Sequence, residues 1–563
     1  MDSIQLLGPE RDWFAQMASS RETCKGSQCL YYRDCFYQRA RQQAAMADLI
    51  IVNHSLLLAD AKLGEAVLPK YQYLIVDEAH HLEEEGTKQF TEDFSLLEFE
   101  KKVQMLHKRR DVFGRPGFLH YIKEWRDQGI GEIEALGPQL EALAAGVRHT
   151  LKRINTLQNY LMGGAGPDML RISLQTVADS WWQNVHALLD NLKVAALSLE
   201  DVTGKISQYM QGDGGKVFDE SWLKMQMQLF AAVRADADLL AKFLKGAQYW
   251  GRVQADGAAC PSEDWEQQVL WLKRDSRVND INLCITPINT AGYFQKYLFE
   301  NKESVILTSA TLSVKGEFTF CSEQLGIDPE WLDTKLLQSP FNYSEQVLLL
   351  SDISLPDPAR TSETAYNLAL QESLGQMLEA CGGRTMVLFT SHRQLRTMYE
   401  GLSGPMLTKG LEIYADGING SRYTLLEELK TNEKAILFGA NTFWEGIDLP
   451  GLALTSLIIV RLPFAPPGQP LVEARLEQLS RQGLDPFYQY SLPLAVLRFR
   501  QGYGRLIRTI DDWGVVVVLD NRIVNKRYGR VFLQSLPDPA CQTGRTQELS
   551  GRIRDWQTRF LTP

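Results

Sequence analysis

YLIVDEAHHLEEE, Tyr73 to Glu85, is the stretch on which the reading of the fold turns. Tyr73 to Val76 is a short apolar run of the kind that fills a central strand. Asp77 and Glu78 fall at its C-terminal end, where open parallel sheets place their ligands. An acid pair there suits a magnesium ion, held by Asp77 through a shell of water, and an attacking water that Glu78 orients and deprotonates. Asp-Glu by itself often does no more than solvate the end of a strand. The full string Ile-Val-Asp-Glu-Ala-His after an apolar run is far more specific.

Working outward, comparable β-branched runs occur at Leu49 to Val52, Val305 to Leu307, Met386 to Phe389, Ala435 to Phe438, Ser456 to Val460 and Gly514 to Leu519. They alternate with longer amphipathic stretches, which predicts an α/β fold with buried, parallel strands. From about Phe94 to Leu272 the texture changes to Leu, Ala, Gln and Lys at helical spacing, as in LGPQLEALAAGVRHTLKRINTLQNYL, Leu136 to Leu161. This predicts an inserted helical domain. INLCITP, Ile281 to Pro287, is expected to return the chain to its first α/β core, and SPFNYSEQVLLL, Ser339 to Leu350, to open a second one.

A chain of 563 residues exceeds one ordinary core, so two to four domains are expected. Its 44% hydrophobic and 23% charged residues are those of a globular protein. The net charge of −10 argues against a generally basic coat and leaves room for a local basic channel. The longest nearly apolar run, Leu452 to Val460, is far shorter than the ~20 residues that cross a bilayer. No charged-then-apolar leader follows Met1, so the expectation is a cytoplasmic protein with no membrane contact.

Four further strings carry chemistry. In VILTSATLS, Val305 to Ser313, a strand empties into a hydroxyl-rich turn whose Ser309 and Thr311 are able to relay hydrogen bonds, although such clusters are usually helix caps. In QGYGRLIR, Gln501 to Arg508, a helix would put Arg505 and Arg508 on one face with Gln501 a turn earlier. Two adjacent guanidiniums repel unless an anion lies between them. Gly502 and Gly504 weaken a helix by up to ~1 kcal/mol each, and their presence suggests a close neighbour. NTFWEGIDLPG, Asn441 to Gly451, offers a loop with Gly446 and Asp448 that suits contact with a ribose and a nucleic-acid backbone; a plain turn would share that composition. CKGSQCLYYRDC gathers Cys24, Cys29 and Cys35 among basic and aromatic residues, which suits zinc or an iron–sulfur cluster beside a nucleic-acid surface.

Taken in order, these strings resemble the iron–sulfur superfamily 2 DNA helicases, the XPD-like group, and most closely its DinG and YoaA branch. Asp77, Glu78 and His80 match the DEAH box of motif II, TSATLS motif III, FTSH at 389 to 392 motif IV, WEGID at 444 to 448 motif V, and Gln501 to Arg508 motif VI. ADLIIVNHSLLLAD, Ala47 to Asp60, is similar to the segment leading back from the cluster domain. The resemblance implies two RecA-like parallel-sheet domains, a helical arch insertion and a partial iron–sulfur cluster domain. The implied division is 1–45 for the partial cluster domain, 46–92 with 279–336 for an incomplete first RecA-like domain, 93–278 for the arch, and 337–563 for the second RecA-like domain.

It further implies ATP-driven 5′ to 3′ unwinding of single-stranded and forked DNA in repair or replication. Asp77 would hold Mg2+, Glu78 would act on water, and Arg505 and Arg508 would be arginine fingers. His80 and Gln501, with Gly446 and Asp448, would bind or couple to ATP, and Cys24, Cys29 and Cys35 would ligate a [4Fe-4S] cluster whose fourth ligand this chain lacks.

Such a motor needs a G-x-x-x-x-G-K-[ST] loop to cradle the phosphates, and the sequence has none. Gly204-Lys205 is followed by Ile206 and Gly215-Lys216 by Val217, both inside the helical insert. The family carries this loop upstream of the cluster cysteines, and here twenty-three residues precede Cys24. The expectation is therefore a chain that begins within its cluster domain, as a shortened copy of a helicase and inactive alone. The alternative is a non-catalytic DNA-binding or scaffold protein descended from one.

Overall fold

The computed structural model describes residues 29–107, 169–173, 220–256, 264–275, 280–358, 360–444, 451–466 and 468–561. They divide into two compact units. One draws on Met1–Gln72, Glu84–Lys302 and Gly468–Ala474, the other on Tyr73–Glu83, Glu303–Pro467 and Arg475–Pro563. In chain order the strands are β1 (Tyr73–Val76), β2 (Glu92–Ser95), β3 (Met169–Ile172), β4 (Gln268–Asp275), β5 (Asp280–Pro287), β6 (Ser304–Leu307), β7 (Val347–Asp352), β8 (Thr385–Phe389), β9 (Glu412–Ala415), β10 (Ala435–Ala440), β11 (Ser456–Ile459), β12 (Gly514–Val518) and β13 (Ala540–Gly544).

In the second of these units, seven strands form one sheet in the order β13-β7-β12-β11-β8-β10-β9, every neighbour parallel. Parallel strands need crossovers, and helices supply them: Glu363–Cys381 between β7 and β8, His392–Leu407 between β8 and β9, Arg422–Thr431 between β9 and β10. Ser362, Ser391 and Ser421 start these helices, each side chain accepting a backbone N–H of the first turn. Helices cover both faces, so successive strand residues enter different cores. Leu457 and Ile459 face one with Met386, Leu388, Leu437, Val516 and Val518. Ile458 and Val460 face the other with Val387, Phe389, Phe438, Val515 and Val517.

β1 and β6 form a separate parallel pair in this unit, with Tyr73 beside Ser304 through Val76 beside Leu307. Leu74 and Val76 are buried, while Tyr73, Ile75 and Ile306 face outward and are exposed. The run Leu49 to Val52, expected as a strand, is not one. It has no regular structure, and Leu49 and Ile51 stand exposed. A β-branched run becomes a strand only beside a partner that takes its backbone hydrogen bonds, and none lies next to it among the described residues.

The other unit holds an antiparallel sheet, β2-β5-β4-β3, beside the long helix Glu220–Asp256. Lys242 on that helix pairs with Glu92 at 2.7 Å, and Lys102 with Asp236 at 2.8 Å. INLCITP therefore does not return to the sheet of β1. It forms most of β5, antiparallel to β2 and β4, and buried Asp280 at its start accepts from Ser95 Oγ and the N–H groups of Leu97 and Ile281. β3 and β4 likewise put strands into a stretch that reads as helical. A short buried run carries no sign of its partner's direction, so neither pairing is legible from periodicity. No helix among the described residues is long and apolar enough to cross a membrane.

Leu457 lies in the middle strand of the seven and is fully buried. Leu457→Ala is expected to lower stability by about 2–5 kcal/mol, seen as a lower urea midpoint with an unchanged slope.

Candidate functional site

The register of β1 with β6 brings two strand ends out together. Thr308 N–H donates to Val76 O at 2.9 Å and Ala79 N–H to Thr308 O at 3.0 Å, which extends the pairing past both strands. The acid pair is thereby held beside the turn Thr308 to Ser313. Glu78 sits at φ 47°, ψ 44°, in the left-handed region that a residue with a Cβ enters at a cost. Its N–H donates to Asp77 Oδ1 at 2.9 Å, which ties the two acids into one local turn.

Ser309 is the centre of this cluster. Its Oγ lies 2.7 Å from His80 Nδ1 and 3.1 Å from Glu78 Oε2, and it accepts from Thr311 N–H at 3.1 Å. A hydroxyl has one proton. When it is given to the Glu78 carboxylate, His80 must donate from Nδ1, which fixes the imidazole with its Nδ1 protonated. His80 Nδ1 is also 3.3 Å from Glu78 Oε2, with the imidazole almost buried and the carboxylate open to solvent. The structure thus brings Glu78, His80, Ser309 and Thr311 together, with Asp77 beside them.

The arginine segment departs from expectation. The helix Leu492–Tyr503 ends before Arg505, with Gly504 as its cap, so Arg505 and Arg508 do not share a helical face. Gly502 does meet a close neighbour, a side chain rather than backbone. A Cβ there would lie 2.9 Å from the Trp444 ring and 3.1 Å from Leu388. Trp444 is fixed by its indole N–H on Phe389 O at 2.9 Å, and its carbonyl accepts from Arg505 Nη2 at 3.2 Å. Gln501 Oε1 is buried with no hydrogen-bond partner among the described residues, and Arg508 is exposed. Of the motif IV residues, Ser391 caps the helix His392–Leu407.

Two residues in this unit went unnoticed in the sequence. Arg500 donates from Nη2 to Ala310 O at 3.0 Å and from Nη1 to Ser313 O, with Ser313 Oγ at 3.4 Å. Burial pushes this guanidinium below its ordinary value, and all its acceptors are neutral oxygens. It therefore joins the hydroxyl turn beside the acid pair to the helix that leads into Arg505. Arg475, nearly buried, pairs with Glu83 and donates to Tyr490 Oη at 2.7 Å, tying the segment after the DEAH string to the helix Pro470–Arg481. Four arginines in LRFRQGYGRLIR were the visible signal for Arg500; nothing local marks Arg475.

Gly446 and Asp448 lie outside the described residues, as does Cys24. Cys29 and Cys35 are partly exposed free thiols, Cys35 immediately before the helix Phe36–Ala45. Among the described residues no group of three or more His, Cys, Asp or Glu is gathered as a metal-ion site.

Residues 374–539 match the family model for the helicase C-terminal domain. The chain is 30% identical over 562 residues to the ATP-dependent DNA helicase YoaA of Haemophilus influenzae, covering 97% of this chain and 74% of that protein. It is 30% identical over 534 residues to the 3′-5′ exonuclease DinG of Bacillus subtilis, covering 92% of this chain and 54% of that protein. A solved XPD helicase shares the fold, with a TM-score of 0.53 at 13% identity over 91% of this chain and 76% of that one. The parallel sheets are those of a RecA-like helicase core. The chain belongs to the family of the DinG and YoaA ATP-dependent DNA helicases.

Arg500→Met would strip Ala310 O and Ser313 O of their donor. A loss of about 1–3 kcal/mol is expected, with faster amide exchange across Thr308 to Ser313, and Arg500→Lys should restore part of it because ammonium lacks the planar fork.

Proposed function

We propose that this chain is the DNA-tracking and transducing part of an ATP-dependent helicase that moves 5′ to 3′ on single-stranded and forked DNA in cytoplasmic repair or replication. The observation that carries the reading is the Glu78–Ser309–His80 cluster, connected through Arg500 to the helix that runs into Arg505. It supports an acid wall at the ends of β1 and β6 and a guanidinium wall beyond the helix Leu492–Tyr503, both in one unit. In this reading 46–92 with 279–336 and 337–563 are the two lobes, 93–278 is the arch and 1–45 the cluster domain.

Asp77 would hold Mg2+, which supplies charge neutralisation on the phosphates. Glu78 orients the water and takes its proton; its tie to Ser309 fixes the carboxylate's direction. Arg505 and Arg508 offset charge on the transferred phosphoryl group, work that arginine fingers elsewhere perform at about 10³–10⁵ in rate. His80 and Gln501 couple nucleotide state to the lobes, and Gly446 and Asp448 serve the ribose and nucleic-acid contact.

The thiols fit a [4Fe-4S] cluster in chemistry and not in number. Cys24, Cys29 and Cys35 are three soft donors, one short of the four that hold such a cluster, so no step here depends on it.

These 563 residues also contain no phosphate-cradling loop. The alternative reading is a non-catalytic DNA-binding or scaffold protein. Assayed alone with single-stranded DNA, the chain is expected to show no ATP turnover. Turnover that Glu78→Gln abolishes would overturn this. Independently, it should bind a single-stranded oligonucleotide or a fork more tightly than blunt duplex, with affinity that falls as salt rises. Equal binding to all three would overturn the single-strand preference, and absent binding would remove DNA as the partner under both readings.

A further inference from the structure

Arg461 leaves the seven-stranded sheet just past the end of β11, its middle strand. Val460 N–H still donates to Leu388 O at 3.1 Å, so Arg461 stands at the C-terminal edge of the sheet, where open parallel sheets place their ligands. The peptide that follows is fixed as well, with Leu462 N–H donating to buried Asp520 Oδ2 at 2.9 Å.

The guanidinium is treated unlike two others in this unit. Arg475 is paired with Glu83, and Arg522 with Asp520. Asp520 grips the peptide next to Arg461, yet its oxygens go to Leu462 N–H and to Arg522 Nε and Nη2, at 2.8 and 2.6 Å, and no ion pair joins it to Arg461. Half-buried Arg461 lies instead over the ring of Tyr366, 4.5 Å from its centre, and its Nε is buried with no hydrogen-bond partner among the described residues. Tyr366, in the first turn of the helix Glu363–Cys381, is 1% exposed, and its Oη also lacks a partner there. Burial raises this phenol above its ordinary value, so it stays a neutral O–H donor.

A cation and a hydroxyl both withdrawn from water, each short of an acceptor, are costly. Stacking on the ring recovers only part of that cost. An oxyanion received by both would supply the acceptors that the protein does not. It is not the anion assigned to Arg505 and Arg508, which precede the opposite end of the sheet, where β12 begins at Gly514. At about 3.3 Å per residue, the run from Gly514 to Asp520, alongside β11, separates the two edges by roughly 20 Å. Besides the nucleotide, a DNA helicase handles one other chain of phosphates, the strand itself.

We propose that Arg461 and Tyr366 form a subsite for a backbone phosphate of single-stranded DNA at the C-terminal edge of the seven-stranded sheet. This rests on the reading of the chain as a DNA-tracking one.

The test titrates the full chain with a fluorescent oligothymidylate over a range of salt, because a charge placed on a phosphate leaves its mark on the salt dependence. Arg461→Met is expected to weaken binding by about three- to tenfold and to flatten the slope of log affinity against log salt by about 0.7, the share of one single-strand phosphate. Arg461→Lys keeps the charge, so it should keep the slope while losing at most about threefold with the planar fork. Tyr366→Phe removes a neutral donor and should cost about two- to threefold at an unchanged slope. Arg461→Gln is read in the same way and covers the case in which the methionine variant does not fold. If Arg461→Met leaves the slope unchanged, with or without a loss of affinity, or if Arg461→Lys flattens it equally, the subsite is overturned and the DNA-tracking reading stands. If inorganic phosphate alone raises the melting temperature of the unaltered chain but not of Arg461→Met, while both bind the oligonucleotide alike, the site takes a free anion and the proposal falls. If the unaltered chain binds no oligonucleotide, the DNA-tracking reading fails and the subsite with it.

Discussion

Two short strands, four residues each, run parallel and in step, and the rest of the site depends on that register. Val76 lies beside Leu307, so Asp77 and Thr308 leave the sheet at the same level. The pairing continues one step further through Ala79 N–H on Thr308 O. A slip of one residue would turn Leu74 and Val76 outward and carry Ser309 away from both His80 and Glu78. The left-handed backbone at Glu78 belongs to the same constraint. Its strain persists because the Asp77 carboxylate, the Ala79 amide and the Ser309 hydroxyl hold the turn together.

The seven-stranded sheet of the same unit is held by a different principle. Its strands are buried on both faces, so each contributes alternate residues to two cores and cannot shift without disturbing both. That rigidity is exported through single contacts. Leu388 and Trp444 press on Gly502, Trp444 holds Arg505 by its carbonyl, and Arg500 reaches from the same helix to the carbonyls of the Thr308–Ser313 turn. A charged guanidinium donating to neutral oxygens makes charge-assisted bonds, which tie the helix to the turn without an ion pair.

Arg475 and Glu83 make the contrasting kind of contact, an almost buried ion pair with Tyr490 completing the arginine's partners. Pairs of this sort add little net stability compared with apolar packing, but losing one partner strands a buried charge. The pair therefore specifies which helix lies against the segment after the DEAH string more than it strengthens the fold.

The strand ends carrying Asp77, Glu78 and Ser309, the α/β alternation and the family were legible in the sequence, because each is encoded within about ten consecutive residues by apolar runs and the polar groups that follow them. Pairing was not. Leu49 to Val52 reads as a strand and has no neighbour among the described residues, while Ile281 to Pro287 reads as a core strand and joins an antiparallel sheet. Strand partners are chosen by chain segments far apart, and an apolar run carries no label for them. For the same reason the sequence pointed to Arg505 and Arg508 yet put them on a helix that in fact stops at Tyr503. It also left Arg500 and Arg475 unremarked. Local chemistry supplies the reactive groups; only tertiary contacts decide which backbone amides and carbonyls face them, and so which ordinary polar residues hold those groups in place.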